Sequence, residues 1–454
     1  MSKLARSLRV TEYFTLAFGA MVGVGWLIVI DDWLTRGGPG GAMLGFLVGG
    51  LALLPVAYVY SRFVRAIPDA AAEIAYASTV FPRGVGFVAV WLMTLAYLIV
   101  CPWEAVAIGK LVGYLFSPLQ SVRMYQLGGF PIYLPALLLG LGSSLLVAFL
   151  NYRGIRLSSR FLNYTTFGLL TLFALFCGAG LTYGSHANRI PMFANENGWA
   201  GILASVIMVL QIVPYFLTGF ESVPKCAEEA QESFQDRDFA KAIFLGLGVG
   251  TFFYVLIIGV VSGLVPWRSI AGERYATAVA FDRAFHSSLL VRLIFVAAIF
   301  SLFKVFNANF LTASRLIFAL GRNGLIPKKL GQIHPRFQSP AAAIIFCLLI
   351  TMLGPFLGDS ILIPVTEVGS LCSIIGWSIT CISFIRWRRR DPDATSARDV
   401  LIALAGTAVA LLLLVLKLAP TVPGSFGRWE YAALAGWLCL GLILAAAAKK
   451  TQSP

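Results

Sequence analysis

Residues 19–26 read Gly19-Ala20-Met21-Val22-Gly23-Val24-Gly25-Trp26 and lie inside the first long apolar run of the chain. Each glycine in a helix interior costs roughly 1 kcal/mol against alanine. Glycine at 19, 23 and 25 is therefore costly for an uninterrupted helix. In a bilayer, open backbone is tolerated only where protein buries it or where it lines a watery cavity. Two readings remain at this point. The stretch is either a broken membrane helix offering bare N–H and C=O groups, or a close helix contact of the small-xxx-small kind, since Gly19 and Gly23 stand four apart.

Composition sets the class. The chain has 454 residues, 58% apolar and 12% charged, with mean hydropathy +0.82. A soluble domain carries about 25% charged residues. Twelve apolar runs can each cross a hydrocarbon core of roughly 30 Å. They cover 12–33, 42–62, 86–116, 131–150, 161–184, 200–220, 242–264, 290–314, 341–357, 361–385, 400–419 and 430–448. Gly354, Pro355, Gly358 and Asp359 mark a tight turn between the ninth and tenth.

The net charge of +14 would suggest nucleic acid in a soluble protein. Here the positive-inside rule accounts for it, and no nucleic-acid partner is expected. With both termini cytoplasmic, most Lys and Arg fall in inside segments. The outside segments hold only Arg36, Arg123, Arg189, Arg268, Arg274, Arg283, Arg292 and Arg428. Arg386, Arg388, Arg389 and Arg390 follow the tenth span and would anchor it on anionic lipid. The expected setting is the plasma (inner) membrane. The basic start (Lys3, Arg6, Arg9) has no small-residue cleavage site after it, so the first span reads as retained.

The chemistry of enzymes is not legible. Six of the seven cysteines lie in spans and Cys226 at a cytoplasmic edge, which gives no disulfide framework. His186, His286 and His334 are far apart and lack metal-ligand spacing. Phosphate loops, nucleophile elbows and metalloprotease motifs are not found. The expectation is a protein that is not an enzyme and uses no metal, cofactor or ATP.

The sixth run contains a second interruption, Gln211-Ile212-Val213-Pro214-Tyr215-Phe216-Leu217-Thr218-Gly219-Phe220-Glu221-Ser222-Val223-Pro224. Proline removes a donor and clashes with the preceding turn, so a break or kink is expected. Interrupted segments in corresponding positions of two halves point to a transporter site built on inverted repeats. The repeats would be residues 12–184 and 200–388, with two additional helices in 400–448.

Several stretches together resemble the amino acid–polyamine–organocation superfamily of permeases. These are Gly19–Gly25, Phe216-Leu217-Thr218-Gly219-Phe220-Glu221-Ser222, and Ala227-Glu228-Glu229-Ala230. A fourth runs from Ala313-Ser314-Arg315 through Gly321-Arg322-Asn323-Gly324-Leu325-Ile326-Pro327 to His334-Pro335. The resemblance implies an all-α integral membrane protein with about 12 transmembrane helices. It also implies a five-plus-five inverted-repeat fold with broken first and sixth helices. By the same resemblance, Gly23, Val24 and Gly25 would offer N–H groups to a substrate carboxylate. Phe216, Leu217 and Thr218 would offer carbonyls to its amine, and Tyr215 or Phe220 would cover it. Glu221 would serve gating or proton response, or merely cap the broken helix. Two departures stand out. Trp26 follows the last glycine, where a small aliphatic residue is common. The loop Pro68-Asp69-Ala70-Ala71-Ala72-Glu73 lacks the usual glycine pair.

Charged groups within spans need a partner or a purpose, since insertion costs about 2.5–3.5 kcal/mol at a span centre. Lys304 lies midway through the eighth span. Sodium-coupled relatives of this fold place hydroxyls near that position. Lys304 would then be a tethered cation in place of sodium and a means of proton coupling. The alternatives are a static pairing or a position at a span edge. Glu104, in the third span, would contact a cationic substrate group, bond to nearby backbone, or pair with Lys110 or Lys304. Glu367 and Lys417 are expected to snorkel to an interface, and Trp33 to join an aromatic belt. The function expected is secondary transport of an amino acid, sodium-independent, by proton coupling or exchange. A polyamine or organic-amine carrier and a non-transporting nutrient receptor are the other readings.

Overall fold

The first apolar run of this computed structural model folds as α1 (Val10–Met21) and α2 (Gly25–Ile28), with residues 22–24 unwound between them. Helix resumes as α3 (Ile30–Ala66), which is broken at Gly38 (φ 65°, ψ 176°). In a straight helix, Trp33 and Phe46 would stand roughly 20 Å apart. Their ring centroids are 4.8 Å apart. The chain therefore doubles back at Gly38, so residues 30–37 finish the first span and 39–66 form the second. Only glycine fits there. Its φ is positive, and a Cβ would stand 2.7 Å from the Ala194 backbone nitrogen.

The structure describes residues 4–69, 72–116, 118, 121–358, 362–390, 396–419 and 426–450. Lys3, Ala70, Ala71 and Asp359, and the side chains of Arg388, Arg389 and Arg390, lie outside it. A short α4 (Glu73–Ser78) follows the second span. The third is α5 (Arg83–Leu98) and α6 (Val100–Leu115), offset at Ile99 because Pro102 supplies no N–H to the turn before it. Then come α7 (Leu134–Tyr152) and α8 (Ile155–Tyr183). The sixth span is α9 (Gly198–Leu210), α10 (Val213–Leu217) and α11 (Ser222–Lys225). After it run α12 (Asp236–Leu264), α13 (Ala276–Phe285) and α14 (Ser288–Arg322). The ninth is α15 (Ala341–Thr351) with α16 (Leu353–Leu357), ended by Gly358 at φ 57°. The last are α17 (Leu362–Arg390), α18 (Ala397–Leu418) and α19 (Arg428–Lys450).

Among the described residues, 10 helical passes are long and apolar enough to cross a membrane. Two shorter apolar helices, Gly198–Leu210 and Ala341–Leu357, stand in the sixth and ninth places. The architecture is that of an all-α, multi-pass integral membrane protein. One departure is a surface hairpin of β1 (Arg123–Leu127) and β2 (Phe130–Tyr133). Leu127 pairs Phe130 across Gly128-Gly129, both at positive φ, which suits a two-residue turn. The fourth helix therefore begins at Leu134, three residues later than its hydropathy suggests, with Pro135 in its first turn.

Helix α14 runs through the centre and packs against α1, α5, α6 and α8. Polar seams tie it in place. Asn307 Oδ1 accepts from Asn151 Nδ2 (2.9 Å) and Ser158 Oγ (3.1 Å), and Asn307 Nδ2 donates to the Ser158 carbonyl (3.1 Å). Such bonds between helices average roughly 0.6 kcal/mol each. Arg315 grips Glu229 with two nitrogens (3.1 and 2.7 Å), both side chains buried. This joins α14 to the segment after the sixth span on the basic face of the molecule.

Candidate functional site

A helix that stops in the membrane leaves its last carbonyls without partners and carries partial negative charge there. At the end of α1 those carbonyls are taken up by side chains of α12 and α14. Asn309 Nδ2 donates to Ala20 O (3.2 Å) and the Tyr254 hydroxyl to Met21 O (3.1 Å). Ser301 Oγ donates to Gly23 O (2.8 Å). The Lys304 ammonium donates to Val22 O and lies 4.8 Å from the centroid of the Phe18 ring. Lys304 is fully buried in the middle of α14, which rules out the span-edge position.

Across the break the donors are left open. None of the N–H groups from Gly23 to Trp26 donates to a backbone carbonyl among the described residues. The three glycines divide between the two readings of the sequence. A Cβ on Gly19 would meet Leu162 Cδ1 at 2.9 Å, and one on Gly25 would meet Phe216 Cε1 at 2.7 Å, so these two serve close packing. One on Gly23 would find nothing closer than Glu104 Oε1 and Val305 at 3.7 Å. Glu104 is itself buried, and its Oε2 has no hydrogen-bond partner among the described residues.

The sixth span breaks at Thr218 to Glu221. Pro214 opens α10 rather than kinking a longer helix, and Thr218 leaves the helix in extended geometry. Gly219 follows at φ 149°, where a Cβ would stand 2.8 Å from Met21 N and 2.9 Å from Ala17 O. The two broken helices thus touch backbone to backbone. Thr218 Oγ1 bonds Ser373 Oγ of α17 (3.0 Å), and Gly219 N–H donates to Glu221 Oε2 (3.0 Å). Lys225 Nζ donates to the Glu221 carbonyl (2.9 Å) and pairs with Glu73 (2.8 Å), all three residues being buried.

Between the two breaks lies a cavity of about 410 Å³. Of the residues singled out in the sequence, Gly23, Val24, Gly25, Glu104, Tyr215, Phe216 and Thr218 line it. Trp26, Leu217 and Phe220 do not. Trp26 turns toward Phe253 (ring centroids 6.4 Å apart), and Phe220 stacks on Trp377 (5.9 Å) beneath the break. Glu221 and Lys304 also stand behind the lining.

The sequence reading missed the far end of the cavity. Asp31, Asp32 and Arg36 line it there, with Glu367 and Lys417. Arg36 pairs with Asp32 (2.7 Å), and Lys417, 2% exposed, pairs with Glu367. The last two do not snorkel, because they neutralise each other against the cavity. Trp33 is no belt residue. It is fully buried among Phe46, Phe216 and Tyr254, because the reversal at Gly38 carries it inward. A legible signal existed, since consecutive acids at 31 and 32 fall inside an apolar run.

The profile of a family described as amino acid permease matches residues 8–443. The chain is 24% identical over 407 residues to the branched-chain amino acid permease BcaP of Bacillus subtilis, covering 87% of this chain and 83% of that protein. It is 24% identical over 406 residues to the methylthioribose transporter of the same organism, with 86% and 83% covered. It is 27% identical over 413 residues to mouse cationic amino acid transporter 4, with 87% and 62% covered.

Proposed function

The chain belongs to the amino acid permease family, and from that premise we propose that it carries an amino acid across the membrane, without sodium, by alternating access around the cavity between its two broken spans. One observation carries the proposal. The Lys304 ammonium is bonded to the Val22 carbonyl at the end of α1, while the N–H groups on the other side of the break are free of backbone partners. A half-helix end that would attract a free cation already holds a tethered one.

The substrate carboxylate sits against the N–H groups of Gly23 to Gly25, and its amine against the carbonyls of Phe216 to Thr218. Tyr215 and Phe216 enclose it. Residues 12–184 and 200–388 act as the two inverted repeats, and 400–448 as an accessory pair. The basic face is cytoplasmic, with both termini there, and the membrane is the plasma (inner) membrane. Protons or a counter-substrate supply the driving force.

Four carboxylates line the cavity (Asp31, Asp32, Glu104 and Glu367) against two cations in its lining, Arg36 and Lys417, and a third, Lys304, directly behind it. That excess favours a cationic amino acid, and it also keeps an organic-amine carrier in view. Uptake of labelled lysine, leucine and putrescine into liposomes containing the purified protein tests the assignment. Uptake of an amino acid is the expected result. Uptake of putrescine alone supports the amine carrier, and uptake of none of the three counts against transport.

A further inference from the structure

Helix α8 is longer than a membrane requires. Its 29 residues extend about 43 Å, against a hydrocarbon core of roughly 30 Å. Counting about 20 residues back from Tyr183 brings the edge of that core to Tyr164. The turns before Tyr164 therefore stand at headgroup level. They lie on the basic face, where Ser339 Oγ, in the loop after α14, donates to the Tyr152 carbonyl (2.7 Å) just ahead of α8.

One stripe of α8 faces outward. Arg156, Arg160, Tyr164, Phe167 and Thr171 follow one another at helical spacing, and all are exposed, Tyr164 by 78%. A groove of about 480 Å³ runs along the stripe, lined by Arg160, Asn163, Tyr164, Phe167, Gly168 and Thr171. The missing side chain of Gly168 leaves a gap in its wall, and Phe300 of α14 packs there, 2.9 Å from where a Cβ would stand. The side chains of Arg156 and Arg160 have no ion pair, hydrogen bond or ring contact among the described residues. Their neighbours are engaged. Arg153 and Arg336 both lie over the Phe337 ring (5.3 and 5.5 Å). Glu12 of α1 accepts from Asn163 Nδ2 (3.0 Å) and the Arg9 N–H (3.0 Å), and Thr15 Oγ1 donates to Asn163 Oδ1 (2.5 Å). Asn163 thus joins the groove to the first span. On α12, Arg237 and Lys241 have the same spacing, but Lys241 is paired with Asp238 (3.2 Å), so that helix offers no such pair of uncompensated cations.

Residues four apart on a helix are neighbours, so both guanidinium groups can reach one phosphate, whose oxygens match their paired N–H donors. A zwitterionic headgroup would bring an ammonium beside two unpaired arginines, and an anionic one would not. Below them the Tyr164 ring suits the membrane interface, and Phe167 offers apolar surface to an acyl chain. We propose that the groove on α8 is a binding site for an anionic phospholipid of the leaflet on the basic face. Arg156 and Arg160 hold its phosphate, Tyr164 stands at its glycerol, and one acyl chain lies along Phe167 and Thr171. Bound there, the lipid touches Asn163 and so braces α1 at Glu12 and Thr15.

Titration of the purified full-length protein in neutral detergent with phosphatidylglycerol or phosphatidylcholine tests the site without requiring transport. Melting temperature reads the bracing, and native mass spectrometry reads the lipid retained. Phosphatidylglycerol is expected to raise the melting temperature saturably, and phosphatidylcholine to leave it nearly unchanged. The double variant Arg156→Gln, Arg160→Gln is expected to lose the rise and to weaken phosphatidylglycerol roughly ten- to thirtyfold, as befits two cations at a lipid surface. Tyr164→Ala, which alters no charge, is expected to weaken it several-fold and serves alone if the double variant does not fold. Arg237→Gln with Lys241→Gln on α12 is the control and is expected to bind as the wild type does. Equal loss in that control would show diffuse attraction to a basic surface and overturns the proposal. So does wild-type affinity in the α8 double variant or in Tyr164→Ala, or an equal rise with phosphatidylcholine. A full rise with glycerol 3-phosphate in place of lipid also overturns it, because the site would then read a soluble anion.

Discussion

The Lys304 ammonium donates to the carbonyl of Val22, the residue at which the first half-helix ends. That bond fastens the side-chain nitrogen of a lysine at the centre of α14 to the negative end of α1, in a place without solvent. Ser301, one turn earlier on α14, bonds the next carbonyl, that of Gly23. The break in the first span is therefore a built structure, with its acceptors filled and the N–H groups of residues 23–26 without backbone partners among the described residues.

Gly219 is where the two breaks meet, and alanine there has neither the backbone freedom nor the space. Gly219→Ala is expected to lower stability by about 1–3 kcal/mol, the cost of a strained backbone at such a position, and to abolish uptake. Gly178, where a Cβ would meet nothing within 4 Å, is the control. Gly178→Ala is expected to leave uptake unchanged and to raise the melting temperature slightly. Thermal unfolding in detergent, run beside uptake, reads both.

Gly25 and Phe216 are coupled by contact, since a Cβ on the first would stand 2.7 Å from the second. Gly25→Ala is expected to destabilise, and adding Phe216→Leu to recover part of the loss. A double-mutant cycle on thermal stability is expected to give a coupling of about 1 kcal/mol in the compensating direction. A sum of the two single losses would mean that the contact does not decide the choice of glycine.

Glu104 presents a buried carboxylate to the cavity beside Gly23. Charged hydrogen bonds are worth about 1.5–3 kcal/mol, so Glu104→Gln is expected to weaken binding of lysine roughly ten- to a hundredfold. Leucine is expected to change much less. Competition by unlabelled ligands against one labelled substrate measures the difference. Equal loss for both would assign Glu104 to the amine that all amino acids share.

At the far end of the cavity, Lys417 and Glu367 join α18 to α17. Lys417→Met and Glu367→Gln are each expected to destabilise, by about 1–3 kcal/mol, because one charged group is left without its partner. The double variant is expected to be more stable than either single one, since no unpaired charge remains. Melting temperatures of the three variants decide the matter.

Much of this architecture was legible in the sequence because the bilayer enforces a simple rule. A segment that crosses it must be long and apolar, and the twelve runs met that rule. The two breaks were legible because glycine and proline are costly in a membrane helix. Other features depended on contacts between distant residues, which hydropathy does not carry. The reversal at Gly38 turned Trp33 from a presumed belt residue into a buried wall of the cavity. The pairing of Lys417 with Glu367 spans two helices, and neither residue alone signals it. Trp26 follows the glycine cluster directly, but the short turn of α2 points its ring toward Phe253 and away from the cavity. The hairpin at 123–133 escaped notice because a four-residue strand and the start of an apolar helix look alike in composition.

The most direct test of the central claim is uptake by the purified protein in liposomes, with external sodium replaced by choline at constant pH and membrane potential. If Lys304 occupies the place of a bound cation, the wild-type rate is the same in both media, and Lys304→Ala loses uptake in both. A wild-type rate that requires sodium, or robust uptake by Lys304→Ala with an unaltered pH dependence, would contradict the account.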